Sequence, residues 1–259
     1  MSGTVEKALK VLELLSTYDA PVRLADLSRE LHMNKSTTYR MLETMSQHGF
    51  VQQDEPNGRY MITTKLWEIG VRAFQRLDIR SWARPYLEAI GRETHETAVL
   101  SIVDDQQVVI IDKSDSFQPV QAFSPLGSRS PIHCSSFGKA YLMVGTDEKL
   151  NRLKFPLASF TKTTITTRAA LDAEIAKAVK AGVAVAFDEF AEGISGAAAP
   201  VIGVDGSVHA VIGVTVPTIR AHGQKFEHAK EIVRAEAANF SRALGHTASD
   251  AKRLTKRGP

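Results

Sequence analysis

The segment from Leu24 to Ile62 constrains the fold more tightly than any other part of the chain. In LADLSRELHMNKSTTYRMLETM the core-type positions recur at spacings of three and four. They run through Leu24, Leu27 and Leu31 and then, after only Met33-Asn34, through Thr38, Met41, Leu42 and Met45. Such spacing places each set on one face of a short helix. Asn34 is a suitable first cap for the second helix, because its side-chain carbonyl can accept a hydrogen bond from the backbone N–H of Ser36 or Thr37. His48-Gly49 provides a stop, and FVQQDEPNGRYMI then reads as two strands, Phe50–Gln53 and Arg59–Ile62, joined by Pro56-Asn57-Gly58. Upstream, TVEKALKVLELL predicts a helix whose core face is Val5, Ala8, Leu9, Leu12 and Leu15. Three short helices and a hairpin within residues 1–63 specify a winged helix-turn-helix.

The helix that begins at Lys35 opens with polar and basic residues, and only one of its faces has a core to pack on. Lys35, Ser36, Thr37, Tyr39 and Arg40, with Arg59 on the hairpin, are therefore the candidate contacts to the base edges and phosphates of double-stranded DNA. Thr38 is assigned to the core. Charge does not carry this reading: residues 1–63 hold seven Lys/Arg against eight Asp/Glu, a balance of −1, while the whole chain stands at +3. Much of the basic excess lies in the terminal AKRLTKRGP, part of a tail over 247–259 that is expected to be disordered.

Beyond the hairpin, residues 64–77 predict an amphipathic linker helix through Leu66, Ile69, Val71 and Phe74, whose stripe packs on a partner subunit or on its own chain. A helix around Ile79–Thr94 follows. AVLSIVDDQQVVIIDKSD then reads as a hairpin turning at Asp104–Gln106, PVQAF as a strand, and SSFGKAYLMV and TRAALDAEIAKAVKAG as helices. AAAPVIGV and SVHAVIGVTV form a hairpin across Asp205-Gly206, before a last helix near Gln224–Leu244. Hairpins without regular βαβ alternation predict an α+β domain over 78–246, an antiparallel sheet flanked by helices.

Composition is ordinary for a globular protein, with 43% hydrophobic and 24% charged residues in 259. One cysteine, Cys134, excludes an internal disulfide framework. The charged start MSGTVEKALKVLELL is unlike a signal peptide, and no apolar run is long enough for a bilayer, so a cytoplasmic location without membrane association is expected. The histidines form no HxxxH or HExxH pair, and no metal or cofactor is expected. GISGA resembles a nucleophile elbow, with His133 and Asp188 available to complete a triad. The elbow needs a helix after Ser195, however, whereas AAAPVIGVDG reads as a strand. HCSSFGKA fails as a phosphate loop, because His133 and Ala140 stand where the first Gly and the Ser/Thr belong.

Five blocks, TVEKALKVLELL, LADLSRELHMNKSTTYRMLETMSQHGFV, GRYMITTKLWEIG, LGSRSPIHCSSFGKA and EFAEGISGAAAPV, in this order and at these separations, resemble the IclR family of bacterial transcriptional regulators over residues 4–245. The resemblance implies a GAF-like effector domain, homodimers or dimers of dimers on an inverted-repeat operator, no enzymatic activity, and a small organic or aromatic acid as effector. Repression is the more frequent mode in such a family. By position it points to His133, Ser135, Ser136, Phe137, Asp188, Ser195, Gly196 and Thr215 as effector-binding residues. Well-known members carry an aspartate, a cysteine and a serine where this chain has Ala186, Gly196 and Gly213. That departure implies a roomier, less polar cavity and a carboxylate effector larger than pyruvate.

Overall fold

The computed structural model describes residues 3–54, 58–75 and 79–246, with the side chains of 71–75 outside that set. The chain falls into two compact units that divide between Asp78 and Ile79.

In the first unit the elements are α1 (Thr4–Leu15), β1 (Val22–Arg23), α2 (Leu24–Glu30), α3 (Lys35–Gln47), β2 (Val51–Asp54), β3 (Arg59–Ile62) and α4 (Lys65–Gln75). This is a winged helix-turn-helix. Thr38, Met41, Leu42 and Met45 are buried along α3, as their spacing requires, and they pack with Leu27, Val51 and Tyr60. On α1 the buried positions are Val11 and Leu15, whereas Val5 and Leu9 are exposed. Asn34 does cap α3 by position, but its side chain makes no capping hydrogen bond. Its backbone carbonyl instead accepts from Thr38 N at 3.0 Å and Thr38 Oγ1 at 3.2 Å. The two-residue β1 escaped the pattern search and pairs with β3, making a three-stranded sheet of order β1-β3-β2. Pro56 and Asn57 of the expected turn lie outside the described residues, but Gly58 has φ +62°, the left-handed conformation such a turn needs.

The second unit holds α5 (Ile79–Thr94), β4 (Thr97–Asp104), β5 (Gln107–Ser114), β6 (Arg129–Pro131), α6 (Ser136–Leu142), α7 (Thr146–Asn151), α8 (Arg168–Ala181), β7 (Ala184–Phe187), β8 (Ile194–Ile202), β9 (Val208–Pro217) and α9 (Gly223–Ala243). Its six strands form one antiparallel sheet of order β6-β5-β4-β9-β8-β7. Helices α5 and α9 cover one face, where Tyr86 stacks on Phe240 at 4.8 Å, and α6 and α8 cover the other over Val99, Ala198 and Val211. The fold class is thus α+β with a GAF-like layering. Because both faces are covered, β4, β8 and β9 read as nearly continuous apolar runs rather than alternating ones. PVQAF is not a strand: residues 119–123 run as irregular chain, and edge pairing to β5 is taken up instead by Arg129–Pro131. The short α7 and β7 also escaped the sequence reading; β7 lacks a turn signal ahead of it, since it follows α8 after only Gly182-Val183.

Close backbone approach positions α6. A Cβ on Gly138 would lie 2.2 Å from both Cα and O of Ile132, and neither atom can rotate away. Gly138→Ala should therefore force α6 off its strand-side support and lower stability by about 1–3 kcal/mol or more. Urea unfolding followed by circular dichroism checks this, and a wild-type midpoint would refute the packing role of that glycine.

Candidate functional site

On the first unit the exposed face of α3 presents Lys35, Ser36, Tyr39 and Arg40, with Thr37 half-buried beside them. Neither Lys35 nor Arg40 has a carboxylate partner among the described residues, so both cations are free to meet an anion outside the chain. Tyr39 is 45% exposed despite its ring. Arg59 is placed differently from the helix residues. It sits half-buried on β3, in register with Arg23 and Asp54, and its Nε is buried without a hydrogen-bond partner among the described residues.

The second unit contains a cavity of about 330 Å³ between the sheet, the start of α6 and the segment after β7. Six of the eight expected residues line it: Ser135, Ser136, Phe137, Ser195, Gly196 and Thr215. His133 and Asp188 do not, and each has a structural task instead. His133 is buried, and its Nε2 lies 3.0 Å from the Ala158 carbonyl, which can only accept; Nε2 therefore carries the proton. Burial holds its pKa below the ordinary imidazole value, with the Ala158 hydrogen bond opposing that shift. Asp188, at φ +55°, closes its own loop: its Oδ1 accepts from Gly193 N at 2.7 Å and Thr218 Oγ1 at 2.5 Å.

Several of the cavity hydroxyls are already committed. Ser135 Oγ accepts from Gly138 N at 3.1 Å, Ser195 and Thr218 share a hydrogen bond of 2.8 Å, and Ser124 and Thr215 share one of 2.9 Å. Ser136, 3% exposed, makes no side-chain hydrogen bond among the described residues. Of the three small residues expected to widen the cavity, Ala186 and Gly196 line it. Gly213 is not part of the wall, and a Cβ there would meet Ala197 O at 2.2 Å. A Cβ on Gly196 would meet Val214 O at 2.7 Å and Ser136 Oγ at 2.9 Å. These glycines serve strand and helix packing, so their space is already filled.

The wall also includes residues that spacing did not single out: Arg129, Glu189, Phe123 and Phe190. Arg129 and Glu189 do fall inside two of the family-like blocks, one residue before Ser130-Pro131 and one after Asp188. Cys134 lines the cavity as a neutral thiol, its pKa pushed up to about 12 chiefly by burial. Behind the wall lies Lys139, fully buried, donating to Glu189 Oε1 at 2.5 Å and the Val185 carbonyl at 3.1 Å, with Glu174 3.9 Å away. Burial raises the Glu189 pKa and Lys139 opposes that rise. Among the described residues no three His, Cys, Asp or Glu side chains converge as a metal site, and no helix is long and apolar enough to cross a membrane.

With this geometry in place, comparison with known proteins is decisive. The family description "Bacterial transcriptional regulator IclR C-terminal" matches residues 71–242, and the "IclR helix-turn-helix domain" matches residues 4–55. The chain belongs to the IclR family. As an IclR-family protein it is a DNA-binding transcriptional regulator with a C-terminal ligand-binding domain, and it is not an enzyme. It is 30% identical over 247 residues to the HTH-type transcriptional regulator XynR of Escherichia coli (strain K12), covering 95% of this chain and 98% of that one. It is 29% identical to the DNA-binding transcriptional repressor YiaJ of the same organism, over 96% and 90% of the two chains. Its fold matches the crystal structure of an IclR homolog complexed with 4-hydroxybenzoate from Microbacterium hydrocarbonoxydans, with TM-score 0.78, 24% identity, and coverage of 95% and 100%.

Removing Lys139 leaves Glu189 buried without its cation, a change that costs about 3–5 kcal/mol. Lys139→Met should show that loss at pH 8 and a smaller one at pH 5. The sign follows from the raised Glu189 pKa: the folded state holds its proton more tightly than the unfolded chain, so stability falls as pH rises above the ordinary carboxylate range. Urea titrations at the two pH values measure this, and a pH-independent loss would assign the effect to packing.

Proposed function

We propose that this IclR-family regulator is a cytoplasmic repressor that binds an inverted-repeat operator as a homodimer or dimer of dimers, and releases or rearranges on the DNA when an organic acid fills the cavity. The division of labour we propose is DNA reading by residues 1–63, coupling by the helix of 64–77, and sensing by 78–246. The observation that carries the DNA reading is the split of α3. Thr38, Met41, Leu42 and Met45 supply its core face, while Lys35, Ser36, Tyr39 and Arg40 remain outside. Short hydroxyls and a guanidinium in the first two turns suit base edges in a major groove, and Lys35 at the start of the helix suits the phosphate backbone. Half-buried Thr37 and Arg59 are proposed as contacts at the margin of that surface.

Trp67 and Ile69, 69% and 45% exposed on α4, support the dimer, since a lone helix of this length rarely leaves such side chains in water without a partner. Two-fold symmetry in the protein then requires two half-sites of opposite direction in the operator. Repression is favoured by the likeness to YiaJ, and an acidic effector by the mixture of apolar wall, hydroxyls and one guanidinium. The volume sits near the lower end of the roughly 300–1,000 Å³ typical of ligand pockets. Proposed effector contacts are Ser135, Ser136, Phe137, Ser195, Gly196 and Thr215, with His133 and Asp188 supporting the wall from outside it.

Footprinting on the promoter region next to the gene should reveal protection with dyad symmetry, and protection of one asymmetric site by a monomer would count against the proposal. Arg40→Ala should cost about 1–3 kcal/mol per half-site and relax preference at one base position, whereas Lys35→Ala should weaken all sequences alike and reduce the salt dependence. Equal losses on operator and random DNA for Arg40→Ala would reassign that residue to the phosphates.

A further inference from the structure

The electrical layout of the cavity decides which way round an acid can bind. Two residues of the wall carry formal charge, Arg129 and Glu189. Glu189 belongs to the segment after β7, and its countercharge, Lys139, lies behind the wall rather than in it. One Glu189 oxygen takes the Lys139 hydrogen bond; the other is buried without a hydrogen-bond partner among the described residues. A carboxylate brought to that side would add a second anion next to a buried, incompletely satisfied one, and like charges in such surroundings repel strongly. The hydroxyls of Ser135, Ser195 and Thr215 do not compensate, because they already serve internal hydrogen bonds.

Arg129 offers the opposite conditions. Its Nη2 donates to Asp104 at 2.6 Å and its Nη1 reaches Gln107 at 3.5 Å, which leaves donors of the guanidinium uncommitted. Asp104 is itself 57% exposed and is not part of the wall, so the pair is open to solvent and to exchange. The backbone carrying Arg129 is tied to β5: Ile110 N donates to Ser128 O at 3.1 Å, Gly127 N donates to Ile110 O at 2.8 Å, and Arg129 itself pairs with Val109. A guanidinium with spare donors on a fixed edge strand is a suitable anchor for a carboxylate.

We infer that Arg129 anchors the effector's carboxylate at the mouth of the cavity, with the effector's body lying along Phe123, Phe137, Phe190 and Ile194 and its far end facing Glu189. The inference rests on the reading of the cavity as an effector site for organic acids, and it narrows the ligand class. The effector is a monocarboxylate with an aromatic or extended aliphatic body. A hydroxyl or another hydrogen-bond donor is accepted at the far end, and a second carboxylate is rejected there by Glu189.

The test is calorimetric titration of the full-length protein with benzoate, 4-hydroxybenzoate, 3-phenylpropionate and hexanoate, each beside its uncharged amide and, for the aromatic set, beside terephthalate. At least one monocarboxylate should bind the wild type, at least about tenfold more tightly than its amide and than the dicarboxylate. Arg129→Gln should lose that acid-over-amide preference while leaving amide binding and the ligand-free melting temperature unchanged. Arg129→Lys should restore part of the preference, and Asp104→Asn should strengthen acid binding by removing the competing carboxylate. If an acid binds wild type and Arg129→Gln equally, the anchor is refuted and the organic-acid reading of the cavity stands. A dicarboxylate that binds as tightly as the monocarboxylate refutes the role given to Glu189. If no acid of the panel binds the wild type, the organic-acid reading fails and the anchor fails with it.

Discussion

The second unit is organised around a cation with no access to water. Lys139 on α6 joins three elements: it reaches the carbonyl of Val185 on β7, the carboxylate of Glu189 in the following segment, and the neighbourhood of Glu174 on α8. In a low-dielectric interior such a group is tolerable only with its partners in place, so the helix, the edge strand and the segment beyond it must come together as one arrangement. The start of α6, β7 and the segment after it each contribute to the wall of the cavity. Gly138, adjacent to Lys139 and lying against the backbone of Ile132, leaves α6 little freedom to shift.

The cavity is polar in a selective way because most of its hydroxyls are consumed in making it. Thr161, Thr163 and Thr164 donate to the carbonyls of Asp188 and Glu189, Asp188 ties Gly193 and Thr218, and Thr218 ties Ser195. This chain of hydrogen bonds determines the course of the segment that carries Glu189 and Phe190 into the wall. Seen on the sequence, Ser195, Asp188 and His133 suggest chemistry. In the folded protein Ser195 and Asp188 both bond Thr218, and His133 meets the Ala158 carbonyl, as buried polar groups generally must find partners. Uncommitted in the wall, among the described residues, are the hydroxyls of Ser128, Ser130 and Ser136 and the spare donors of the Arg129 guanidinium, set in a largely apolar lining.

The DNA-reading unit has a simpler logic. With four of the thirteen residues of α3 buried in a small core shared with α1, α2 and the wing, its opposite face is left exposed, and polar residues are retained there. An unpaired lysine and arginine on such a face are affordable because water solvates them in the free protein and phosphate can replace that water in the complex.

Local periodicity was enough to read the helices of the first unit, the α+β class of the second, the β4–β5 turn and the β8–β9 hairpin, because each depends on contacts between near neighbours in the chain. It missed β1 and β7, which are too short to show a period and exist only through pairing with β3 and β8. It placed Val5 and Leu9 on the core face of α1, whereas the fold leaves both exposed and buries Val11 and Leu15, since periodicity does not say which part of an apolar stripe other elements will cover. Order along the chain pointed to Ser135, Ser136, Phe137, Ser195, Gly196 and Thr215, and these line one cavity. Sequence by itself determined which segments the fold would gather around that cavity. Tertiary structure alone decided which polar groups are spent on one another, that neither Gly196 nor Gly213 leaves room for a Cβ, and that Arg129 and Glu189 set the charge of the wall. The physical reason is that a side chain's availability depends on partners distant in sequence, and only the fold brings those partners within hydrogen-bonding distance.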